Sequence, residues 1–370
     1  MTLGNRLKLA RERAGRTLNE VSGTTGVGTS SISEFENDKR EPRMSVLNKL
    51  AQAYGRPLAF FFDPSPASNE EVVLWREEPD PSLAPDIEVK FLKLCRQYHH
   101  LEKWCGAVRD VSLPLAEGSP DQFSYPQAQA LATKVRKDLG LGDHPGPALG
   151  MVLEEVHAVK IFYLGFDPTG CAACAYSSQF GAAILLNSKN APWRRSFDLA
   201  HELFHILTWN VFRIGADSPV ARPTPFEEKL ADAFASHLLL PAEALQNSIN
   251  SILEDGKIGA DGVVNIAREY DVSMDALIWR LHFLYHWTNR DDTKEKIKNI
   301  KKETHTKRKW QSPESDELPG RYVALATRAL NTGQMSTGKF AEYLGVSRQE
   351  AESYVSQDAV EDEQIEITPT

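Results

Sequence analysis

Apolar positions recur at helical spacing along most of the chain and at strand spacing in one short central region. Residues 3–63 read as five short helices, with Leu7 and Ala10 on one face and Thr17 with Glu20 forming a capping box ahead of the second helix. Gly23 to Gly28 supply a turn, and Ser30 to Phe35 form the next helix. Val89, Leu92, Cys95, Tyr98 and Leu101 predict a helix over 86–109, read as connecting or dimerising. Ala128, Leu131, Ala132 and Val135 predict another over 124–140, followed by a helix over 147–156. Val159 to Leu164 and Ala182 to Asn187 read as strands of a small sheet. Leu203, Phe204, Ile206 and Leu207 mark a buried helix, and a stripe of small and apolar residues runs from Phe226 to Leu240. Two similar hairpin phrases follow, Ile266 to Ser273 and Phe340 to Ser347, expected to pack or bind a partner rather than DNA because their second helices lack Arg and Lys clusters.

This pattern predicts a multidomain chain: an all-α helix-turn-helix domain (1–63), a linker and connecting helix (64–119), an α+β domain (120–288) that its motif and a family resemblance, both given below, imply to be a zincin-like metallopeptidase domain, a basic tether (289–314), a C-terminal helical segment (315–357) and an acidic tail (358–370). A length of 370 residues fits two to three domains. The composition, 41% hydrophobic and 25% charged, suits a globular protein, and no apolar run approaches a membrane span. The start, Met1 to Arg6, lacks a signal-peptide core, which with four cysteines points to a reducing, cytoplasmic setting. Cys171 and Cys174 form one CxxC without a second pair at zinc-finger spacing, so metal or redox use is not expected of them.

A net charge of −9 argues against general nucleic-acid affinity, but the charge is uneven. Residues 1–63 carry ten Lys/Arg against seven Asp/Glu, and residues 289–309 carry nine against four. The first of these zones resembles the Xre-type DNA-binding domains, through Leu7 to Thr17, Gly26-Val27, and Ser33 to Asn37 running into Arg40-Glu41-Pro42. The resemblance implies DNA as a partner of residues 1–63, with Thr29, Ser30, Ser31 and Glu34 offered to base edges and Lys39, Arg40 and Arg43 on phosphates. It also implies an internal Arg11–Glu36 pair. Leu18 departs from the polar residue the family often places there, and the recognition face is poor in Arg and Asn.

The chemistry is spelled out in Ala200-His201-Glu202-Leu203-Phe204-His205. Histidines four apart share a helix face and reach one metal ion, while Glu202 points beside it and can take a proton from a metal-bound water. Two imidazoles, a carboxylate and a water suit Zn2+ and imply hydrolysis of a carbonyl compound, most often a peptide bond. The third ligand is expected on the helix that starts at Phe226, where Glu228 and Glu227 compete. Asp232 shares the face of Glu228 and could orient a histidine, whereas His237 lies opposite. Tyr176 is the one candidate for oxyanion stabilisation. The edge strand of the sheet is the expected track for an extended peptide. His282 and His286 repeat the four-residue spacing among core-type aromatics, and His99 and His100 read as surface.

From about residue 120 to 285 the chain resembles the ImmA/IrrE metallopeptidases. The matching stretches include Arg195 to Leu207 and Glu228 to Ala235 followed by Leu238-Leu239-Leu240-Pro241. The resemblance implies a zinc endopeptidase with His201, His205 and Glu228 as ligands and Glu202 as general base. Family members commonly cut a partner repressor, so a protein substrate is the expected partner. Others fused to an Xre-like domain resemble antitoxins, which makes a cognate toxin the alternative. No membrane partner is expected, and a homodimer is compatible with the helix over 86–109.

Overall fold

The computed structural model describes residues 2–14, 16–54, 56, 58–62, 72–76, 83–213, 223–253, 255–303 and 318–357. The expected Asp63 to Ser68 linker, the acidic Pro-rich loop after Arg76, most of the loop before Phe226, the second half of the basic tether and the acidic tail lie outside them.

The N-terminal domain has the five expected helices: α1 (Leu3–Arg13), α2 (Leu18–Thr25), α3 (Thr29–Glu36), α4 (Met44–Ala53) and α5 (Leu58–Phe62). Thr17 and Glu20 form the reciprocal capping box at the start of α2, and Gly26 ends that helix at φ 71°, where a Cβ would be strained. Leu7, Val21, Ile32 and Leu50 are fully buried at its centre.

The next part is organised by a four-stranded sheet of order β1-β3-β4-β2. Its strands are β1 (Val72–Trp75), β2 (Lys160–Leu164), β3 (Ala172–Ser177) and β4 (Gly181–Asn187). The β2–β4 pair is parallel, and β3 is antiparallel to both β4 and β1. Side chains alternate between faces, so Ala172, Cys174, Ile184 and Leu186 enter one core while Ala173, Ala175 and Leu185 enter another. Cys171 and Cys174 therefore face opposite cores and both are free thiols.

The first core holds α7 (Tyr125–Asp138), α8 (Pro145–Met151), α9 (Pro192–Leu207), α10 (Trp209–Arg213), α11 (Pro225–Leu239), α12 (Ala242–Asn250), α13 (Ala260–Glu269) and α14 (Met274–Leu284). On the other face of the sheet lie α6 (Ala84–Trp104), α16 (Gly320–Asn331), α17 (Thr337–Leu344) and α18 (Arg348–Gln357). The apolar stripe of α6 is consequently spent within the chain: Phe91, Cys95, Tyr98 and Leu101 are buried against Phe162 of β2 and Tyr322 of α16. This corrects the reading of residues 86–109 as a connecting or dimerising helix. The hairpin phrase at 340–347 packs here too, with Phe340 fully buried.

A second correction concerns the basic tether. Residues Arg290–Glu303 form α15, which packs on α14 through Ile297 and the buried Thr293, whose hydroxyl meets His282 Nδ1 at 2.8 Å. Ile297, the partly buried Ile300 and one buried hydroxyl suffice to seat a helix that composition alone makes look solvated. His282 is thus used structurally, and His286 is exposed. Among the described residues no helix is long and apolar enough to cross a membrane.

Candidate metal centre

Helix α9 begins with Pro192 at its first position, where the missing N–H costs nothing, and from Asp198 to Leu207 every residue is buried. Helix α11 starts on Thr224, whose hydroxyl accepts from Glu227 N at 3.1 Å, and Pro225 follows. Ala231 and Ala235 are fully buried, and such small side chains let α11 lie close against α9. The acidic first turn of α11, Glu227 and Glu228, is favoured there by the helix dipole and faces the histidines of α9.

His201, His205 and Glu228 offer ligand atoms that all lie within 4.8 Å of one another, the only such group of three among the described residues. The two Nε2 atoms are 3.3 Å apart, and Glu228 spans them, with Oε2 at 3.1 Å from His201 and Oε1 at 3.3 Å from His205. Each histidine turns its other nitrogen to a carboxylate. His201 Nδ1 meets Asp232 at 2.9 Å, and His205 Nδ1 meets Glu227 at 3.0 Å. A carboxylate accepts only, so each Nδ1 donates to its own carboxylate, and each Nε2 is left facing Glu228 as the nitrogen that a metal would take. Three electron-rich groups converging on one point are stable around a cation, and this donor set suits Zn2+.

The electrostatics follow the same logic. Burial disfavours a charged His205, but hydrogen bonds to Glu227 and Glu228 outweigh it and raise its pKa to about 9. Burial would raise Glu228, yet its bonds to both histidines hold it down at about 2. Glu202 is fully buried and pushed upward by desolvation, which the neighbouring imidazoles and the Cys174 thiol only partly oppose. Neither Glu202 oxygen has a hydrogen-bond partner of good geometry. Such an orphaned carboxylate beside the converging ligands is where a metal-bound water would find its acceptor.

Sequence reasoning brought His201, Glu202, His205, Glu228 and Asp232 to one place, and the structure assembles all five there. Glu227, the competing ligand, reaches only Nδ1 of His205 and is held by Arg213 at 2.5 Å. The missed residue is Arg76, which follows β1 and binds Asp198 at 2.5 Å and Asp232 at 3.1 Å. Asp198 is wholly buried and also accepts from Arg194 and Asn190. The only signal for Arg76 is its position after a short aliphatic run, 122 residues before its partner. The Tyr176 ring packs at a tilt of 42° against Trp209, with centroids 5.9 Å apart. β3, the strand beside α9, has its outer edge filled by β1, in the register Val72↔Tyr176 to Trp75↔Ala173. The edge strands, on which an extended peptide was expected, are therefore β1 and β2.

His237 faces away, as its spacing predicts, donating from Nδ1 to Ala233 O at 2.8 Å. Burial, aided by Arg280, depresses its pKa to about 4. The unfolded imidazole takes up a proton near 6.5, so the stabilisation is complete above that pH and is lost as pH falls towards 4. Thermal denaturation at pH 7 and pH 5 should show wild type losing roughly 2 kcal/mol more than His237→Gln.

In the N-terminal domain Arg11 grips Glu36 at 2.6 Å, the expected internal pair. Thr29, Ser30, Ser31 and Glu34 lie on α3, all at least partly exposed, and Lys39, Arg40 and Arg43 are exposed in the segment that follows. Arg40 stacks on Phe35 at 4.9 Å and pairs with Glu34 at 3.5 Å.

A helix-turn-helix module followed by a domain that pairs an HExxH helix with a glutamate-bearing helix defines a class of chain: a DNA-binding-type module with a metallopeptidase-type domain. Comparison with known proteins agrees. Residues 2–59 match the family described as helix-turn-helix domain, and residues 154–282 match the family described as IrrE N-terminal-like domain, a metallopeptidase family. The chain carries both domains, in that order. It is 41% identical over 54 residues to the HTH-type transcriptional regulator ImmR of Bacillus subtilis, covering 15% of this chain and 42% of that protein. Over 76 residues it is 33% identical to the HTH-type transcriptional regulator PuuR of Escherichia coli, covering 20% of this chain and 41% of that one. The chain thus spans about two fifths of the curated relatives it matches. The crystal structure of Bacillus thuringiensis PlcR with the peptide PapR7 and DNA is similar at 12% identity over 97% of this chain and 95% of that one. Its TM-score of 0.17 is too low to bear on the fold.

Proposed function

We propose that this protein is a DNA-binding regulator whose IrrE-like domain hydrolyses a peptide bond in a partner protein, a repressor being the expected substrate. The observation that carries this reading is the convergence of two Nε2 atoms and the Glu228 carboxylate beside the unpartnered Glu202. Zinc held by His201, His205 and Glu228 would polarise the scissile carbonyl and lower the pKa of a bound water. Beside that zinc Glu202 would serve as the general base and then as the proton donor to the leaving amine, a role that a carboxylate raised by burial suits. Asp232 and Glu227 fix the tautomers of the two histidines, and Arg76 in turn fixes Asp232. The N-terminal domain holds operator DNA, with Lys39, Arg40 and Arg43 on the phosphates and α3 towards the bases.

The test is Glu202→Gln in the zinc-loaded protein, incubated with a candidate partner repressor. Cleavage should fall by about 10^2–10^4-fold with zinc content and operator binding unchanged. Equal cleavage by the variant would remove Glu202 from the mechanism.

A second reading is an antitoxin or repressor whose peptidase-type domain grips a toxin without cutting it. The observation in its favour is closure: His201, Glu202 and His205 are at most 1% exposed, and β1 fills the β3 edge. Toxin neutralisation that survives Glu202→Gln in cells supports this reading over the first.

A further inference from the structure

A cavity of about 1160 Å³ opens beside α9, α11 and α14, and Asp232 lines it while His201, His205 and Glu228 do not. Its wall carries an unbalanced charge. Of the carboxylates that line it, Asp232 is bound by Arg76 and Asp275 by Lys301 at 2.7 Å. Arg194 is committed to Asp198. That leaves Lys229, Arg280 and Arg290 in the wall without an ion pair among the described residues.

Arg280 is the telling member of that set. Only 5% of it is exposed, and its bonds go to Leu240 O at 3.0 Å and to His237 Nε2 at 2.8 Å, both neutral acceptors. A buried cation without a counter-charge costs several kcal/mol unless something anionic reaches it, and the opening beside Arg280 is this cavity. The rest of the wall is aromatic. Trp279 and Phe283 lie with ring centroids 6.5 Å apart and planes 32° from parallel, a shelf over which Arg290 holds its guanidinium at 5.9 and 6.0 Å. Trp193 and Phe197 line the α9 side. Phe283 is 53% exposed, so the outer part of this shelf is open to a ligand.

From these observations we propose that the cleft binds a mononucleotide: a planar base on the Trp279–Phe283 shelf under Arg290, and a phosphate shared by Arg280 and Lys229. Flat rings and fixed cations in one concave site are what base stacking and phosphate binding require. The inference is independent of the peptidase reading, because no metal ligand lines the cleft. Through Asp232 and Arg76, which do line it, the ligand would touch the residues that orient His201.

The experiment is isothermal titration calorimetry of the full-length protein with AMP, GMP, CMP and UMP, with adenosine and inorganic phosphate as controls. At least one nucleotide should bind about tenfold or more tightly than either control, since both halves of the ligand contribute. Lys229→Ala with Arg290→Ala should weaken it by about tenfold or more at an unchanged melting temperature, as both side chains are exposed and neither has an ion pair to lose. Arg280→Met should weaken it further if the variant folds, and the surface pair keeps the test decisive if it does not. Absence of binding by all four nucleotides overturns the proposal. So does phosphate binding as tightly as the nucleotides, or nucleotide binding that the double variant leaves intact.

Discussion

His205→Ala and Glu228→Ala are each expected to abolish stoichiometric zinc binding, against about one zinc per chain in the wild type measured by mass spectrometry under native conditions. The expectation is strong because the site is built in two layers. Glu228 alone bridges both Nε2 atoms, so its loss removes a ligand and also leaves those two nitrogens 3.3 Å apart with nothing between them. Asp232→Asn should be milder, losing about 10–100-fold in affinity, since it orients His201 without contacting the metal. Equal zinc content in wild type and Glu228→Ala would refute the assignment and return Glu227 to consideration. Zinc absent even from the wild type after metal loading would leave only the scaffold reading.

The largest expected effect on stability belongs to Glu102, on the opposite face of the sheet. It lies 2% exposed between Lys160 of β2, itself 3% exposed, and Arg321 of α16, at 3.0 and 2.6 Å. The lysine contact is one of charge rather than of a well-angled hydrogen bond. Glu102→Leu leaves the Lys160 ammonium buried against the Tyr98 ring without a counter-ion and should cost roughly 3–5 kcal/mol by chemical denaturation. Removing the stranded ammonium with Lys160→Met in the same chain should recover the lysine's share of that loss, while Arg321 loses Glu102 but keeps its bond to Ala107 O. A double variant as unstable as Glu102→Leu would show that packing rather than charge governs the site.

What was legible in the sequence depended on distance along the chain. The HExxH spacing, the capping box of α2 and the short apolar runs of β2 and β4 are local patterns, and the residues that produce them are their own neighbours. The pairing of α9 with α11 was legible because Ala231 and Ala235 left room for a partner and only one helix needed a carboxylate. β1 was not legible: four residues between proline-rich and acidic stretches carry too little periodicity to register, and their pairing with β3 crosses a hundred positions. Arg76 was hidden for the same reason, since an arginine after a short strand has no sequence mark of its two distant aspartates. The role of α6 was misread because an apolar stripe says that something covers it and not whether that cover comes from the same molecule. α15 escaped because its lysines hid Ile297 and Thr293.

The participation of β1 in the sheet sets a limit on how this protein can be divided. The match to the IrrE-type family begins at residue 154, yet the strand that closes the sheet and the arginine that braces Asp232 both precede it by some eighty positions. A fragment cut at that point would expose the edge of β3 and strip the cover from the α6 face. Evolutionary module and folding unit are therefore different segments of this polypeptide. An excised piece meant to retain the metal centre has to begin before Val72 and run to the end of α18.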